Sequence, residues 1–412
     1  MNILLKAPQQ TINGTITLEG SKSISNRLLI LRAMSENNFE IKNLSPGDDT
    51  DAMLRILTSD ETLQDVGAAG TTMRFLTSYF AIQKGEKILT GSERMKNRPI
   101  GILVDALKKL GADISYLEKD GYPPLRINGK KLPGGKIDIR SDVSSQFISS
   151  LLMIAPKSEK GLQLELIGKI ASLPYLMMTL KLMESLGAKY EMTGNTIHVF
   201  PGKYNGTDMQ VESDWSAASY YYSICALNKN SEIKIKGLFK KSLQGDSVLL
   251  EIYNQLGVNS FFEDDILVLK QNNSVTDLFQ FDFSDCPDLA QTVVVTCAGL
   301  GVPGKFSGLE SLKIKETDRT QALAVELKKF GVEFIHDTNT TSDTWLLKGK
   351  TISNSEIQIK TYEDHRMAMC FAPLSLLYEN IIIEEAGVVK KSYPSFWEDL
   401  SSLGFSSSIS IG

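Results

Sequence analysis

The sequence predicts an α/β protein of two domains, each built from repeated small units of helices and strands. Three observations support this fold class: the chain length, a helix–glycine–strand pattern that recurs five times, and short alternating strands between helical segments. A chain of 412 residues exceeds what one ordinary hydrophobic core holds together, so two domains are expected. With 42% hydrophobic and 23% charged residues, the composition is that of a globular protein rather than a disordered one.

The clearest feature is the internal repeat. Five helical segments end in a Leu-Gly or Phe-Gly step, and a strand-like segment follows each step. The glycines, separated by 76, 70, 74 and 73 residues, are Gly111, Gly187, Gly257, Gly331 and Gly404. A glycine suits the position just past a helix C-terminus because it adopts the left-handed conformation without steric cost. A period of about 73 residues is too long for a solenoid repeat and fits a subdomain of two helices and about four strands.

The strands and one break in the pattern define the domains. Apolar or alternating runs predict strands at Ile137–Arg140, Leu162–Ile167, Thr196–Phe200, Glu232–Lys236 and Ile381–Glu384. The pattern resets between Val211 and Asp214, where a new helix begins at Trp215, and we place one domain crossing there. A second crossing near Gly20 gives an N-terminal domain of residues 21–212 and a C-terminal domain of residues 1–20 and 213–412. Each domain is expected to hold three repeat units.

The first repeat unit is expected to be truncated. Counting back one period from Gly111 places a sixth helix-ending glycine near residue 38, yet the helix predicted over Thr50–Leu57 ends without a glycine. Only about ten residues separate Leu57 from Gly67, too few for a strand pair between two helices. We therefore predict that this unit lacks its β-hairpin, that no strand follows its helix, and that a short loop leads directly into the helix near Gly70.

Charge and composition exclude several classes of function. A net charge of −5 argues against a general nucleic-acid binder, so any anion site must concentrate cations locally. The four cysteines show no CxxC spacing and the three histidines are scattered, which predicts neither a zinc site nor a disulfide framework. No apolar run reaches membrane-spanning length and no signal-peptide pattern is present, so we expect a cytoplasmic protein.

Several helix starts have the composition of anion sites. In Gly20–Arg27 a glycine and serines precede a helix, Ser21 or Ser23 is expected to cap it, and Arg27 lies one turn beyond Ser23. Related clusters of small, hydroxyl or charged residues occur at Gly67–Arg74, Arg94–Pro99, Ser144–Phe147, Ser172–Tyr175, Pro287–Asp288, Lys313–Arg319, Tyr362–Met369 and Lys390–Pro394. Taken singly, each cluster also fits an ordinary capped or solvated helix end.

Taken together, these motifs resemble the 5-enolpyruvylshikimate-3-phosphate synthase family of enolpyruvyl transferases. The resemblance runs from about residue 8 to residue 397. It is carried, in order, by Gly20–Arg27, Gly70–Thr71 with Met73–Arg74, Arg94–Lys96 with Arg98–Ile100, Tyr122–Arg126, Val143–Phe147, Gln244–Asp246, Pro287–Asp288, Lys315–Arg319 and Asp364–Cys370. The fold that this resemblance implies has two domains, each of three β-α-β-α-β-β units, around a cleft, and it agrees with the repeat.

The resemblance also implies an activity and a site. The family transfers the enolpyruvyl group of phosphoenolpyruvate to the 5-hydroxyl of shikimate 3-phosphate in chorismate and aromatic amino acid biosynthesis, without metal or organic cofactor, and is inhibited by glyphosate. The implied catalytic residues are Asp288 as base, Glu316 as proton donor and Lys22 at the transferred oxygen. The implied contacts to shikimate 3-phosphate are Lys22, Ser23, Arg27, Ser144, Ser145, Gln146, Ser172, Tyr175, Asp288, Ser311 and Lys315. Those to phosphoenolpyruvate are Lys22, Gly70, Arg94, Gln146, Arg319, Arg366 and Lys391.

Four positions depart from the usual family pattern and are expected to change affinity rather than the reaction. They are Ser311, Leu173, Ala68 and Phe75.

Three alternative functions remain open. The sister enzyme that uses UDP-N-acetylglucosamine bears a reactive loop cysteine, and none of the four cysteines here lies in a basic, Gly-rich loop. A nucleic-acid-end-processing protein of similar architecture needs a nucleotidylated histidine, for which His198, His336 and His365 lack a suitable setting. A non-catalytic anion-binding protein has little use for both Asp288 and Glu316. The expected partners are therefore the two small-molecule substrates, with no nucleic acid and no membrane, and the expected state is a monomer.

Overall fold

The computed structural model describes residues 1–141, 144–168, 170, 172–340, 343–349 and 356–410. Val143, the first residue of the Val143–Phe147 motif, lies outside the described residues. The chain divides into two compact units. The N-terminal unit is Ser21–Val211, and the C-terminal unit combines Met1–Gly20 with Glu212–Gly412. The second boundary lies one residue before the one suggested by the sequence. Within the described ranges, no helix is both long enough and apolar enough to cross a membrane.

Helices and strands alternate along both units. The helices are α1 (Lys22–Ala33), α2 (Asp48–Leu57), α3 (Gly70–Ile82), α4 (Glu93–Lys96), α5 (Gly101–Lys109), α6 (Ser145–Ile154), α7 (Leu173–Ser185), α8 (Trp215–Leu227), α9 (Leu249–Asn254), α10 (Ala290–Leu300), α11 (Arg319–Lys328), α12 (His365–Phe371) and α13 (Phe396–Ser402). The strands are β1 (Asn2–Lys6), β2 (Asn13–Thr17), β3 (Ile41–Lys42), β4 (Leu63–Asp65), β5 (Gly85–Thr90), β6 (Asp113–Tyr116), β7 (Leu125–Gly129), β8 (Gly135–Arg140), β9 (Leu162–Ile167), β10 (Tyr190–Thr193), β11 (Thr196–Val199), β12 (Met209–Gln210), β13 (Glu232–Lys236), β14 (Leu256–Glu263), β15 (Ile266–Val275), β16 (Phe279–Asp282), β17 (Gly304–Ser307), β18 (Glu333–His336), β19 (Trp345–Lys348), β20 (Ile357–Ile359), β21 (Ile381–Ile383) and β22 (Ser406–Ser410). All five strands predicted from the sequence are confirmed.

One sheet topology occurs five times. The four-stranded sheets have the orders β4-β5-β7-β6, β8-β9-β11-β10, β2-β13-β15-β14, β16-β17-β19-β18 and β20-β21-β1-β22. In each sheet the first pair is parallel and the other two pairs are antiparallel. The run β8-α6-β9-α7-β10-β11 shows the β-α-β-α-β-β unit without interruption. In the last unit, the N-terminal strand β1 supplies the final strand.

Each repeat glycine lies shortly after the end of a helix in its unit. Each follows one of the helices α5, α7, α9, α11 and α13 and is in the left-handed region, with φ angles of 98°, 92°, 84°, 77° and 90° for Gly111, Gly187, Gly257, Gly331 and Gly404. Residues with a side chain rarely adopt this conformation. The predicted helix-ending role of the five glycines is confirmed.

The first unit is truncated, as predicted, but one detail of that prediction is wrong. Strand β3 pairs only with β12, in parallel, and no hairpin follows α2 in the described residues. The expectation that no strand follows α2 fails, because β4 pairs in parallel with β5 and begins the next unit. The sequence pattern does not predict β4, because its one buried residue is the polar Gln64 and its apolar Leu63 is exposed.

Helix α1 is central to the N-terminal unit. All eight residues from Ile24 to Leu31 are buried, so Ser25, Asn26 and Arg27 lie in the interior rather than on a polar face. The expected side-chain cap is wrong. Ser21 occupies the N-cap position, but among the described residues its buried hydroxyl has no hydrogen-bond partner. The first turn of α1, beside the Gly20–Arg27 motif, therefore has no side-chain cap from Ser21.

Candidate active site

The predicted site residues fall in both units, and each unit holds its own cluster. In the N-terminal unit, Arg27 is 2% exposed and is held by neutral oxygens. Its Nε donates to Oγ1 of Thr179 at 2.7 Å, its Nη1 to the Ser23 carbonyl at 2.8 Å, and its Nη2 to Oγ of Ser149 at 3.2 Å and to the Tyr175 carbonyl at 3.4 Å. Among the described residues, no carboxylate pairs with Arg27. The protein thus buries a cation whose charge is available to an anionic ligand.

The environment of Arg27 lowers its affinity for a proton without removing the charge. Burial lowers the pKa of Arg27 to about 10, so the guanidinium stays protonated at neutral pH. The rings of Phe75 and Tyr175 lie 5.3 Å and 6.0 Å from its central carbon and offset part of the lost hydration. Phe75, one of the four departures from the family pattern, therefore packs directly beneath this cation.

Lys22 and Ser23 form the first turn of α1. The Lys22 ammonium lies 3.3 Å from Oδ2 of Asp49, and both side chains are largely buried. Asp49 belongs to the acidic first turn of α2. Ser23 is half-buried next to Arg27 and contacts it through its carbonyl. Three implied shikimate 3-phosphate contacts are thus on one helix start.

A second part of this cluster surrounds the start of α3. A methyl group on Gly70 would lie 2.6 Å from Nη1 of Arg98, so the guanidinium of Arg98 packs against the glycine. The Nε of Arg98 is buried, and no described residue forms a hydrogen bond with it. Arg74 donates to the Gly70 carbonyl at 3.1 Å, whereas Arg94 is exposed on α4. A side chain at position 70 therefore fits only if the guanidinium of Arg98 moves away from the helix start.

The start of α6 is connected to the same turn. Ser144 caps α6 by accepting from the Gln146 amide at 3.3 Å, and Gln146 Nε2 donates to Oγ1 of Thr71 at 3.0 Å. Ser145 is the first residue of α6 and is half-buried. Ser172 precedes α7 with a left-handed φ of 57°, three residues before Tyr175. The structure therefore joins Gln146 to the α3 turn, and Tyr175 to Arg27.

The C-terminal unit gathers the other predicted residues around Arg319, the first residue of α11. Its Nε donates to Oδ2 of Asp364 at 2.7 Å, its Nη1 to Oδ1 of Asp288 at 3.0 Å, and its Nη2 to Oε2 of Glu316 at 3.0 Å. Arg319 is 2% exposed. Burial opposes its charge, but the charges of Asp364, Glu316 and Asp288 outweigh burial and raise its pKa above the ordinary range.

Three further cations contact the same carboxylates. Nη2 of Arg366 donates to Oδ2 of Asp288 at 3.0 Å, and Nζ of Lys315 lies 3.7 Å from Oδ1 of Asp288. Nζ of Lys391 donates to Oε1 of Glu316 at 2.7 Å. The cluster therefore combines four cations with three carboxylates. Such a network can release a cation to an arriving anion because Asp288 and Glu316 each have more than one cationic partner.

Two polar residues of the C-terminal unit form no hydrogen bond or ion pair with this cluster in the described part of the chain. Ser311 is half-buried in the 3₁₀ turn Glu310–Ile314, and no hydrogen bond joins it to the charged residues above. Asp246, in the 3₁₀ turn Gly245–Val248, is buried and accepts a short hydrogen bond from the Ser216 hydroxyl. Burial first, and then the charge of Asp288, raise the pKa of Asp246 to about 7.

The structure adds residues that the sequence did not assign. Asp364 binds Arg319 through two contacts and caps α12 by accepting from the Arg366 amide at 2.9 Å. Asp49 pairs with Lys22, and Arg98 covers Gly70. The sequence contains a feature that could have identified each of these residues. Asp364 and Arg98 lie within motifs, and Asp49 lies in the acid-rich first turn of a helix. In the described part of the chain, no group of three or more His, Cys, Asp or Glu residues could hold a metal ion.

Comparisons with known proteins identify the family of the chain. A family model described as EPSP synthase (3-phosphoshikimate 1-carboxyvinyltransferase) matches residues 6–59 and 57–400. A Bacteroides fragilis protein named 3-phosphoshikimate 1-carboxyvinyltransferase is 49% identical over 407 residues, covering 98% of each chain. A Shewanella piezotolerans protein of the same name is 35% identical over 437 residues, covering 98% of this chain and 100% of the relative.

Solved structures share the fold. An EPSP synthase structure from Acinetobacter baumannii matches with a TM-score of 0.79 at 22% identity, covering 99% of this chain and 100% of that one. A second structure of EPSP synthase from the same organism also has a TM-score of 0.79, at 21% identity and with both chains fully covered. These two likenesses establish a common architecture.

Proposed function

The chain belongs to the EPSP synthase family, and we propose that it transfers the enolpyruvyl group of phosphoenolpyruvate to the 5-hydroxyl of shikimate 3-phosphate, releasing phosphate. The observation that carries the proposal is that one guanidinium, that of Arg319, binds both Asp288 and Glu316 at 3.0 Å. The reaction needs one group to take the hydroxyl proton and another to protonate C3 of phosphoenolpyruvate. Two carboxyls held by a common cation supply this pair.

Charge is the basis for the proposed binding roles. Each substrate carries a carboxylate and a phosphate, for which arginine is suited because its planar fork makes two parallel bonds. We assign Arg319, Arg366 and Lys391 to phosphoenolpyruvate, with Lys22, Gly70, Arg94 and Gln146 from the N-terminal unit. The proposed contacts to shikimate 3-phosphate are Lys22, Ser23, Arg27, Ser144, Ser145, Gln146, Ser172, Tyr175, Asp288, Ser311 and Lys315. Of these cations, Arg27 is the one for which binding of a substrate anion is expected to be most favourable, because it is buried and no carboxylate in the described ranges pairs with it.

The proton steps follow from an exchange of ion-pair partners. Asp288 takes the proton of the 5-hydroxyl as the C–O bond to C2 forms, and Glu316 delivers a proton to C3. Phosphate then leaves C2 as C3 loses a proton, which restores the double bond. Substrate anions compete with Glu316 for Lys391 and Arg319, and a carboxyl that loses cationic partners in a desolvated site holds a proton more readily. Lys22 is assigned to stabilise charge at the transferred oxygen.

We further propose the molecular setting of this activity. The two compact units act as the two domains of the enzyme, each of three repeat units. The enzyme acts as a cytoplasmic monomer, without nucleic acid, membrane or cofactor as a partner, and glyphosate competes for the phosphoenolpyruvate site. Light scattering of the purified protein tests the monomer, and a mass of about 45 kDa is expected from the 45.5 kDa chain.

Release of inorganic phosphate tests the reaction. The purified chain is mixed with phosphoenolpyruvate and shikimate 3-phosphate, and phosphate is measured together with the enolpyruvyl product by mass spectrometry. Each substrate alone, and phosphoenolpyruvate with UDP-N-acetylglucosamine, serve as controls. Phosphate release only with shikimate 3-phosphate supports the proposal. Release with the sugar nucleotide instead would assign the chain to the sister reaction, and no release with either acceptor would contradict the transferase proposal.

A further inference from the structure

The backbone just before α12 is strained. Tyr362 and Glu363 are consecutive residues with left-handed φ angles of 55° and 57°, a conformation that side chains make unfavourable. Directly after them, Asp364 caps the helix that begins at His365, from which Arg366 reaches Asp288. Such strain persists only where the surrounding structure over-determines the backbone. Something must therefore hold this turn.

Glu326 stabilises the turn through hydrogen bonds. Its carboxylate is 1% exposed and accepts three hydrogen bonds: from the Tyr362 hydroxyl at 2.8 Å, the Lys360 amide at 3.1 Å and Lys329 Nζ at 2.6 Å. Lys329 also donates to the Gln358 carbonyl at 2.7 Å. A buried carboxylate is unfavourable unless its oxygens are satisfied, and here two of its three donors belong to the segment that leads into the strained turn.

Helix α11 holds both sides of the turn. Arg319 and Glu326 are seven residues apart on α11 and therefore lie on the same face, two turns apart. Arg319 binds Asp364, directly after the turn, while Glu326 binds Lys360 and Tyr362, before and within it. The left-handed residues are thus enclosed between two points of one rigid helix.

We propose that Glu326 and Tyr362 are positioning residues that hold the left-handed turn and thereby fix Arg366 for the anion of phosphoenolpyruvate. This inference rests on the proposed function, because it takes Arg366 to be a phosphoenolpyruvate contact. Neither Glu326 nor Tyr362 is among the residues assigned to a substrate. Loosening the turn lets Arg366 move, which weakens phosphoenolpyruvate binding while leaving the carboxyls that transfer protons in place.

Steady-state kinetics of Glu326→Gln and Tyr362→Phe test the proposal. For both variants, the KM for phosphoenolpyruvate should rise about 5- to 30-fold, while kcat and the KM for shikimate 3-phosphate stay within about twofold. Tyr253→Phe is the matched control, because it removes a buried hydroxyl that bonds Thr296 at 2.9 Å in the same unit. An unchanged KM for phosphoenolpyruvate in both variants, or the same rise in the control, would overturn the inference.

A second substitution separates positioning from general stability. Glu363 is exposed, and Glu363→Gly relieves the left-handed strain at its source. In the Glu326→Gln background, Glu363→Gly should lower the raised KM for phosphoenolpyruvate at least about threefold. The reason is that a turn without left-handed strain depends less on the hydrogen bonds of Glu326. A merely structural Glu326 predicts no recovery, and that result would contradict the proposal.

Hydrogen exchange provides a readout that does not depend on activity. The Asp364 amide donates to the Thr361 carbonyl at 2.9 Å across the turn. In Glu326→Gln and Tyr362→Phe, the peptide containing Asp364 should exchange at least about tenfold faster, with peptides of α10 unchanged. If the wild-type chain released no phosphate, the proposed function would fail, but this measurement would still show whether Glu326 and Tyr362 stabilise the turn. Unchanged exchange in both variants would refute their stabilising role.

Discussion

Lys391 donates from Nζ to Oε1 of Glu316 at 2.7 Å, which joins the last cationic motif of the chain to a carboxylate 75 residues earlier. The other oxygen of Glu316 accepts from Arg319 at 3.0 Å. Glu316 therefore has a cation on each oxygen, and both cations are assigned to a substrate anion. A substrate anion that binds Lys391 or Arg319 would therefore weaken the ion pairs of Glu316. The proposed role of Glu316 as proton donor can be tested by substitution.

Glu316→Gln should lower kcat by about 100-fold or more and change either KM only mildly, because the amide keeps the size of the side chain but cannot deliver a proton. Steady-state phosphate release with both substrates varied measures the two effects. Glu310→Gln is the control, since Glu310 lies on the preceding 3₁₀ turn and is exposed. Near-normal turnover of Glu316→Gln would show that another group is the proton donor.

Arg366→Ala should weaken phosphoenolpyruvate binding by roughly 1.5–3 kcal/mol, the usual contribution of a charge-assisted hydrogen bond. The KM for phosphoenolpyruvate should then rise by about one to two orders of magnitude. Arg126→Ala, at an exposed position of β7 with only a 3.7 Å pair to Glu86, should behave as the wild type. A rise confined to the KM for shikimate 3-phosphate would place Arg366 in the other substrate site.

The fold was largely predictable because its signals are local. A glycine past a helix end needs only its own φ angle, so Gly111, Gly187, Gly257, Gly331 and Gly404 identify their units from the sequence. The missing hairpin of the first unit was equally visible as a shortage of residues. Strand β4 was not visible, because a strand whose one buried residue is Gln64 lacks the alternation by which strands are recognised.

The polar residues of the two clusters could be named from the sequence, but the pairs that they form could not. Motifs place Arg319 and Asp364 in the list of polar helix starts, yet their 2.7 Å contact joins positions 45 residues apart and depends on how α11 packs beside α12. The same holds for Lys22 with Asp49. The burial of Arg27 also escaped the sequence, because a basic residue in an amphipathic pattern predicts a solvated face.

Gly70→Ala should act through Arg98. The added methyl would lie 2.6 Å from Nη1 and 3.1 Å from Cζ of Arg98, and the end of a flexible side chain moves more easily than the helix start. We therefore expect thermal stability close to that of the wild type and a KM for phosphoenolpyruvate about 3- to 10-fold higher.

A double-mutant cycle with Arg98→Lys tests this route. Lysine lacks the planar guanidinium that the methyl would displace. In the Arg98→Lys background, Gly70→Ala should therefore change log KM for phosphoenolpyruvate by at most about half as much as it does in the wild type. Glyphosate inhibition, measured on the same four proteins, should be competitive with phosphoenolpyruvate and weaker wherever the methyl is present. Fully additive effects on KM would show that the methyl acts directly on the ligand and not through Arg98.

Asp246 should make the protein less stable as the pH rises from about 4 to about 7. Its folded-state pKa of about 7 lies above the ordinary value of 3.8, so in this range the folded state keeps a proton that the unfolded chain has lost. Stability from this group is therefore complete below pH 4 and is lost as the pH rises through 7. The loss between pH 5 and pH 8 is about 3 kcal/mol, since each pKa unit corresponds to about 1.4 kcal/mol.

Asp246→Asn removes this titration while keeping an acceptor for the Ser216 hydroxyl. Urea unfolding at pH 5 and pH 8 should therefore show the wild type losing stability relative to Asp246→Asn by about 3 kcal/mol between the two values. Asp277→Asn, at an exposed position, should track the wild type at both. A constant difference between wild type and Asp246→Asn across this range would mean that Asp246 is already ionised in the folded protein at pH 5, despite its burial and the nearby charge of Asp288.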